Sequence, residues 1–273
     1  MRYRTTRRDT LLWLCSVMVL PLYAQAAEFD TNPQLPNNAL QKISEHVYAI
    51  SGFPNIGIVV GEQAVLVIDT GLGPRNGELI SKEVFKLKAN AKLYLTTTHF
   101  HPEHASGEAG FPKDTILIRN RTQQNELQQD GERSVQMFAR NPEFAPYLSG
   151  VSFRQPDIVF DTDYRLDLGD VHVRLMWLGP AHTQGDQTMF VEEDHALFTG
   201  DLAMKDIQPR NFTQGSSWQT WVDILNKLIA LQPRYVLPDH GAFGDGSLLT
   251  IQRDYLTEWV KTGRPNDNQA QPR

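Results

Sequence analysis

The sequence predicts an α/β fold, a four-layer αββα sandwich of two mixed β-sheets. Three observations lead there. Short apolar runs of strand length alternate with longer stretches of helical spacing. The chain falls into two halves, each a set of strands followed by helices, with neither a linker nor a short repeat between them. Polar residues of metal-ligating type follow the strands, repeatedly beside glycine, which places them together on one rim.

Residues 1–26 stand apart from that fold. Arg2, Arg4, Arg7 and Arg8 form a positive stretch, Leu11 to Leu22 is an apolar run, and Ala24-Gln25-Ala26 fits a cleavage signature. The apolar run is too short to span a bilayer, so the segment reads as a cleaved signal peptide and not as a stable membrane anchor. The expected location is periplasmic or secreted. Thr6-Arg7-Arg8 is a partial twin-arginine signal, and both Sec and Tat export fit. Cleavage after Ala26 removes four Arg and one Asp, taking the net charge from −6 to −9. It also removes Cys15, the single cysteine. A metal in the mature chain is therefore held by His and carboxylates.

Residues 27–45 read as a polar leader rich in Pro and Asn. The domain itself spans 46–261, and 262–273 is a flexible tail. Strands are expected at His46–Ile50, Ile56–Val60 and Ala64–Ile68, the third ended by the Gly-rich 70–74 stretch. Leu79, Ile80, Val84 and Leu87 give helical spacing to 77–88. Lys92–Thr96 and Thr115–Ile118 are strands, and Arg121–Arg140 is a polar, Gln-rich helix. Pro142, Pro146 and Gly150 break 141–155 into a loop. Ile158–Phe160, Tyr164–Leu168 and Val171–Leu178 form a meander turning at Gly169-Asp170. Thr188–Val191 and Ala196–Thr199 form another strand pair. Ser216–Leu231 is a helix whose Trp218, Trp221, Leu225 and Leu228 share a core-facing stripe. Tyr235–Leu237 is the last strand and Leu248–Val260 the last helix.

Composition narrows the function. With 26 Lys+Arg against 32 Asp+Glu and no basic stripe, the chain is not a nucleic-acid binder. A small-molecule substrate is expected, and the sequence is silent on oligomeric state. The chemistry concentrates in His99-Phe100-His101-Pro102-Glu103-His104, directly after an apolar strand. In extended chain, i and i+2 point to the same side, so His99 and His101 can bind one metal together. Glu103 and His104 follow the turn at Pro102 and reach a neighbouring position. So dense a set at a strand end reads as a metal site and not as a solvated His-rich loop. His182, Asp201 and His240 occupy equivalent places after later strands. His46, His172 and His195 have no such context.

On these residues the chain resembles the metallo-β-lactamase-fold superfamily. The ordered signals are Asp69-Thr70-Gly71, His99-x-His101-x-Glu103-His104, Gly179-x-x-His182-Thr183-x-Gly185-Asp186, Thr199-Gly200-Asp201 and His240-Gly241. They cover Val47 to Trp259. The resemblance implies a dinuclear centre in which His99, His101 and His182 hold the first metal. Glu103, His104 and His240 hold the second, and Asp201 bridges both. Asp69 and Asp186 lie behind the ligands, with Asp69 orienting a ligand His. Glu103 stands where the family pattern has Asp, one methylene shorter, which bears on the strength of the second site. The subclass with a bridging cysteine is excluded, because the mature chain has none.

The expected cofactor is Zn2+, one or two per chain, with Fe or Mn as alternatives. The expected activity is zinc-dependent hydrolysis, by a metal-bound hydroxide, of an ester, thioester, lactone or lactam. Glu103 and Asp201 are the expected catalytic carboxylates. Lys205, Arg210 and Asn211, downstream of Asp201, are candidate substrate contacts. The alternatives are a mononuclear iron persulfide dioxygenase and a non-catalytic metal-binding protein. Met137, Phe138, Phe144 and Tyr147 offer an apolar lid or a helical flap, and Phe53-Pro54-Asn55 an overhang.

Overall fold

A computed structural model gives the three-dimensional structure and describes residues 31–205 and 207–265. The expected signal peptide and most of the expected tail lie outside the described residues. Two sheets form the centre. The first runs β1 (Leu40–Lys42), β2 (Val47–Ile50), β3 (Ile56–Val60), β4 (Ala64–Ile68), β5 (Lys92–Thr96), β6 (Ile116–Asn120) and β7 (Ile158–Phe160), in that spatial order. It is antiparallel from β1 to β4 and parallel from β4 to β7. The second comprises β8 (Asp163–Asp167), β9 (His172–Trp177), β10 (Gln187–Val191), β11 (Ala196–Gly200) and β12 (Tyr235–Pro238), in the order β12-β11-β10-β9-β8. Only its β11–β12 pair is parallel.

The strand sequences explain the layering. Strands β3, β4 and β11 are apolar on both faces because both faces are covered. Between the sheets, Val47, Val59, Leu66 and Ile68 meet Val173, Leu175, Met189, Phe198 and Leu237. Gly57 lets the sheets approach there: a Cβ on it would lie 2.4 Å from the Phe198 ring. Outside the first sheet, α1 (Pro74–Leu87) packs Leu79, Ile80 and Val84 against Ile58, Val67 and Leu95. Beyond the second, α4 (Trp218–Ile229) and α5 (Ser247–Thr262) bury Trp221, Leu225, Leu228, Leu249 and Trp259 against Leu197 and Val236. The remaining helices are α2 (Pro102–Ala105) and α3 (Arg121–Phe138). Ser217 caps α4 by accepting from the Thr220 amide, in a reciprocal capping box. No helix among the described residues is long and apolar enough to cross a membrane.

Three expectations need correction. The polar leader is not merely a leader: Leu40–Lys42 pairs with β2 and covers the sheet edge. Leu35 is fully buried, and the Asn76 side chain accepts from the Leu35 amide and donates to the Pro33 carbonyl. The meander is divided between the sheets. Ile158–Phe160 pairs parallel with β6 in the first, where Asp157 accepts the Leu117 amide. Glu103 and His104 sit not on an open loop but on the single turn α2, with Pro102 in its first turn, where a missing N–H costs nothing.

The Trp221 indole N–H donates to the Leu202 carbonyl at 2.9 Å, beneath the Gly200–Asp201 turn. Trp221→Phe is expected to lower stability by about 1–2 kcal/mol through the orphaned carbonyl. Trp221→Ala is expected to cost about 3–5 kcal/mol through the added cavity. Urea unfolding of the two variants checks both values and their order.

Candidate metal centre

The strands aim the chemistry at one rim. β4 and β5 run parallel, as do β11 and β12, and β9 is antiparallel to β10, which is antiparallel to β11. The loops that leave the C-terminal ends of these strands carry Asp69, His99–His104, His182, Asp201 and His240. Asp69 takes a left-handed backbone with φ of 68°, uncommon without glycine. That turn brings its carboxylate under the β5 loop, where it accepts from the Thr98 amide at 2.6 Å. His101 caps α2, so one helical turn separates it from His104, whose amide bonds to the His101 carbonyl at 3.0 Å. This brings the two imidazoles to different sides of one cluster.

The predicted residues come together. Ligand-type atoms of His99, His101 and His182 lie within 4.8 Å of one another, as do those of Glu103, His104 and His240, and those of His99, His104 and Asp201. His99 Nε2 stands 3.0 Å from His101 Nδ1, and His182 Nε2 3.3 Å from the same atom. Asp201 lies between the groups, its Oδ2 3.3 Å from His182 Nε2 and its Oδ1 3.6 Å from His240 Nε2. Glu103 Oε1 is 3.8 Å from His104 Nε2.

The electrostatics favour a cation here. Burial holds His99, His101 and His240 well below the ordinary imidazole range, with their neighbouring imidazoles adding to it. Burial likewise pushes His182 down to about 3. These rings are neutral at pH 7, as ligands must be. Burial pushes Asp201 up to about 8 and raises Glu103, so acid-rich and base-rich groups share one unscreened pocket. Glu103 Oε2, His104 Nε2 and Asp201 Oδ1 are buried with no hydrogen-bond partner among the described residues. Two orphaned carboxyl oxygens and His104 Nε2, beside four neutral imidazoles, fit a divalent metal that takes the place of the His104 Nε2 proton, since buried polar atoms are otherwise paired.

The atoms behind the ligands fix their orientation. His104 is fully buried, and its Nδ1 faces Asp69 Oδ2 at 2.9 Å and Asp239 Oδ2 at 3.2 Å. Burial opposes charge on this ring, but Asp69, Asp239 and Glu103 together outweigh it and raise its pKa well above the usual range. Thr98 Oγ1 lies 2.6 Å from Asp239 Oδ2 and 3.0 Å from Asp69 Oδ2. Asp69, expected behind a ligand His, and Asp239, beside His240 and not singled out by the sequence, thus face the same ring nitrogen. His182 Nδ1 donates to the Arg210 carbonyl at 2.7 Å. Asp186 accepts from the Thr183 amide and hydroxyl, tightening the turn after His182. Glu126 clamps the same turn, its two oxygens accepting from the Gln184 and Gly185 amides at 2.8 and 2.7 Å.

The substrate-contact expectations fare differently. Lys205 is exposed, Arg210 acts on His182 through its backbone, and Asn211 is 1% exposed, with Oδ1 accepting from the Thr213 amide. Asn211 thus helps build the loop that follows Asp201. His46 and His172 lie in carboxylate pairs away from this cluster, with Asp194 and Glu193.

An αββα sandwich with a divalent-metal-compatible His and carboxylate cluster on one rim defines a hydrolase-type enzyme. The chain belongs to the metallo-beta-lactamase superfamily, whose sequence profile matches residues 50–240. It is 26% identical over 238 residues to human "Acyl-coenzyme A thioesterase MBLAC2", covering 79% of this chain and 83% of that protein. The Bos taurus protein of that name is 25% identical over 236 residues, with the same coverage of 79% and 83%. Among solved structures, a metallo-beta-lactamase from Pontibacter korlensis aligns with a TM-score of 0.61 at 23% identity, over 82% of this chain and 99% of that one. The sec-alkylsulfatase Pisa1 from Pseudomonas sp. aligns with a TM-score of 0.67 at 13% identity, over 82% of this chain and 42% of that one. These structures share the fold.

Two outcomes are expected from the supporting residues. Asp239→Asn keeps the shape and removes one of the two carboxylates behind His104. Affinity for a divalent metal is expected to fall roughly 10- to 100-fold. Metal titration of the apo protein reads the change. Burial raises Glu126 from 4.5 to about 8. A raised carboxyl contributes stability that is complete below its unfolded pKa and is lost as pH rises through the folded value. The melting temperature of wild type relative to Glu126→Gln is therefore expected to fall between about pH 4.5 and 8. A pH-independent difference would contradict the assignment.

Proposed function

We propose that the protein is a zinc-dependent hydrolase of acyl compounds, with thioesters as the leading class among esters, thioesters, lactones and lactams. The observation that carries this reading is the convergence of orphaned Glu103 Oε2, His104 Nε2 and Asp201 Oδ1 within the imidazole cluster. The thioesterase names of the two MBLAC2 relatives favour the thioester.

In this reading His99, His101 and His182 would hold one zinc and Glu103, His104 and His240 a second, with Asp201 lying between the two groups. Zinc, when bound, supplies a Lewis acid and lowers the pKa of water to near neutrality. The chain's own residues do the rest. The Arg210 carbonyl and the Asp69–Asp239 pair fix which nitrogens of His182 and His104 face inward. Glu103 and Asp201, 7% and 8% exposed, keep their carboxyls where bulk water does not compete. The Glu103 oxygen not engaged as a ligand orients a water and passes a proton toward the leaving group. The acyl C–S bond breaks as a C–O bond forms, and a proton from water ends on the thiol. Glu in the place of the family's Asp still comes within ligand distance of His104 and His240. We further propose export to the periplasm by the N-terminal signal.

The test is hydrolysis of a simple thioester by purified protein before and after chelation. Activity is expected to disappear with the metal and to return with zinc, at one or two zinc per chain by elemental analysis. One iron per chain with oxygen uptake on a persulfide would replace this reading with the oxidoreductase one. Full metal loading with no turnover of any acyl substrate would leave a binding protein.

A further inference from the structure

The walls of the candidate site are aromatic to a degree that ligand geometry does not require. Phe212 is 56% exposed, yet its ring stands edge-on to two ligand-type imidazoles, 5.4 Å from His101 and 5.1 Å from His182. Phe100 adds a half-buried ring 4.9 Å from His101. Beside His240, a separate series of near-parallel rings leads outward. Phe53 stacks on His240 at 5.2 Å, Phe144 on Phe53 at 5.6 Å, and Phe138 on Phe144 at 5.8 Å. The interplanar angles in this series are 30°, 25° and 25°. It links the β2–β3 loop to the C-terminal end of α3 and to the turn that follows.

Phe53, 6% exposed, is the buried inner end of the stack, whereas Phe138 and Phe144 are half-buried and Phe212 is open, unlike the fully buried core aromatic Trp221. Leaving several apolar rings partly in water beside a polar cluster is unfavourable unless something covers them. An apolar substrate portion laid on the rings, with its scissile carbonyl at the imidazole cluster, meets both requirements.

Resting on the hydrolase reading above, we propose that Phe212 and the Phe53–Phe144–Phe138 stack form the acyl-group subsite, and that the preferred substrate carries a large apolar acyl chain. Each methylene moved from water onto the rings is worth up to roughly fourfold in kcat/KM. Partial exposure of the rings reduces the gain per methylene.

The test uses zinc-loaded protein and the acetyl, butyryl and octanoyl thioesters of N-acetylcysteamine, whose small polar leaving group is constant. The octanoyl-to-acetyl ratio of kcat/KM is expected to be at least roughly tenfold in wild type. It is expected to fall toward unity in Phe212→Ala, and partway in Phe138→Ala. Taking the ratio within each variant cancels any loss of folded protein. Calorimetric binding of octanoate against acetate runs beside it as a readout independent of turnover. Hydrolysis without chain-length preference, or a preference untouched by both substitutions, overturns the subsite and leaves the hydrolase reading standing. Phe212-dependent preference for octanoate in binding, with no hydrolysis, keeps the subsite and overturns the hydrolase reading. Neither hydrolysis nor binding preference overturns both.

Discussion

Two buried carboxylates face one imidazole nitrogen, and much of the molecule is arranged to permit it. Asp69, Thr98, His104 and Asp239 are all between 0% and 4% exposed. Charges buried this way are tolerable only when each is answered by hydrogen bonds. The answers come from both sheets: Asp69 ends β4, Thr98 and His104 follow β5, and Asp239 ends β12. The Asp239 amide donates to the Gly200 carbonyl, and its own carbonyl accepts the Asn55 amide at 2.6 Å. The knot thus ties four loops together before any ligand is considered. It leaves His104 Nε2 pointing at the place where a cation sits in the proposed reading.

The same logic governs the His182 turn. It approaches α3 so closely that a Cβ on Gly185 would lie 2.3 Å from the Gln123 backbone. Glu126 of α3 then takes two consecutive amides of the turn. A Gln-rich helix that looks featureless as sequence proves to be a polar buttress. Gln123 donates to the Thr97 carbonyl, and Asn120 donates to the Gly185 carbonyl. Gln123, Gln124 and Glu126 face inward, where Gln123 and Glu126 meet backbone carbonyls and amides, while Gln128, Gln129 and Gln136 face solvent.

That buttress marks where sequence reading ran out. The ligand-type residues were legible because each is a His or carboxylate directly after an apolar strand, and strand ends survive folding as strand ends. Asp69 was legible for the same reason. Asp239, Thr98 and Glu126 were not, because their roles depend on which loop lands beside which, and that is set by the crossing of β4, β5 and β12 and by the docking of α3. Asn211 reads in the sequence as a polar residue downstream of Asp201, whereas its Oδ1 engagement of the Thr213 amide depends on how the loop folds. The edge strand at Leu40–Lys42 was hidden by the prolines and asparagines around it, since a three-residue pairing leaves no periodicity to detect.

The segment from Arg210 to Phe212 joins two of these themes. The Arg210 carbonyl receives the His182 ring N–H, and the Phe212 amide returns a bond to the His182 carbonyl at 2.9 Å. The ring of Phe212 rests against that same imidazole. One residue separates the surface that an acyl chain would press from the oxygen that sets the tilt of His182. In the proposed reading, a chain seated on the phenyl ring would bear on the same short segment that holds the imidazole, so the fit of the cargo and the tilt of His182 would be set at one place.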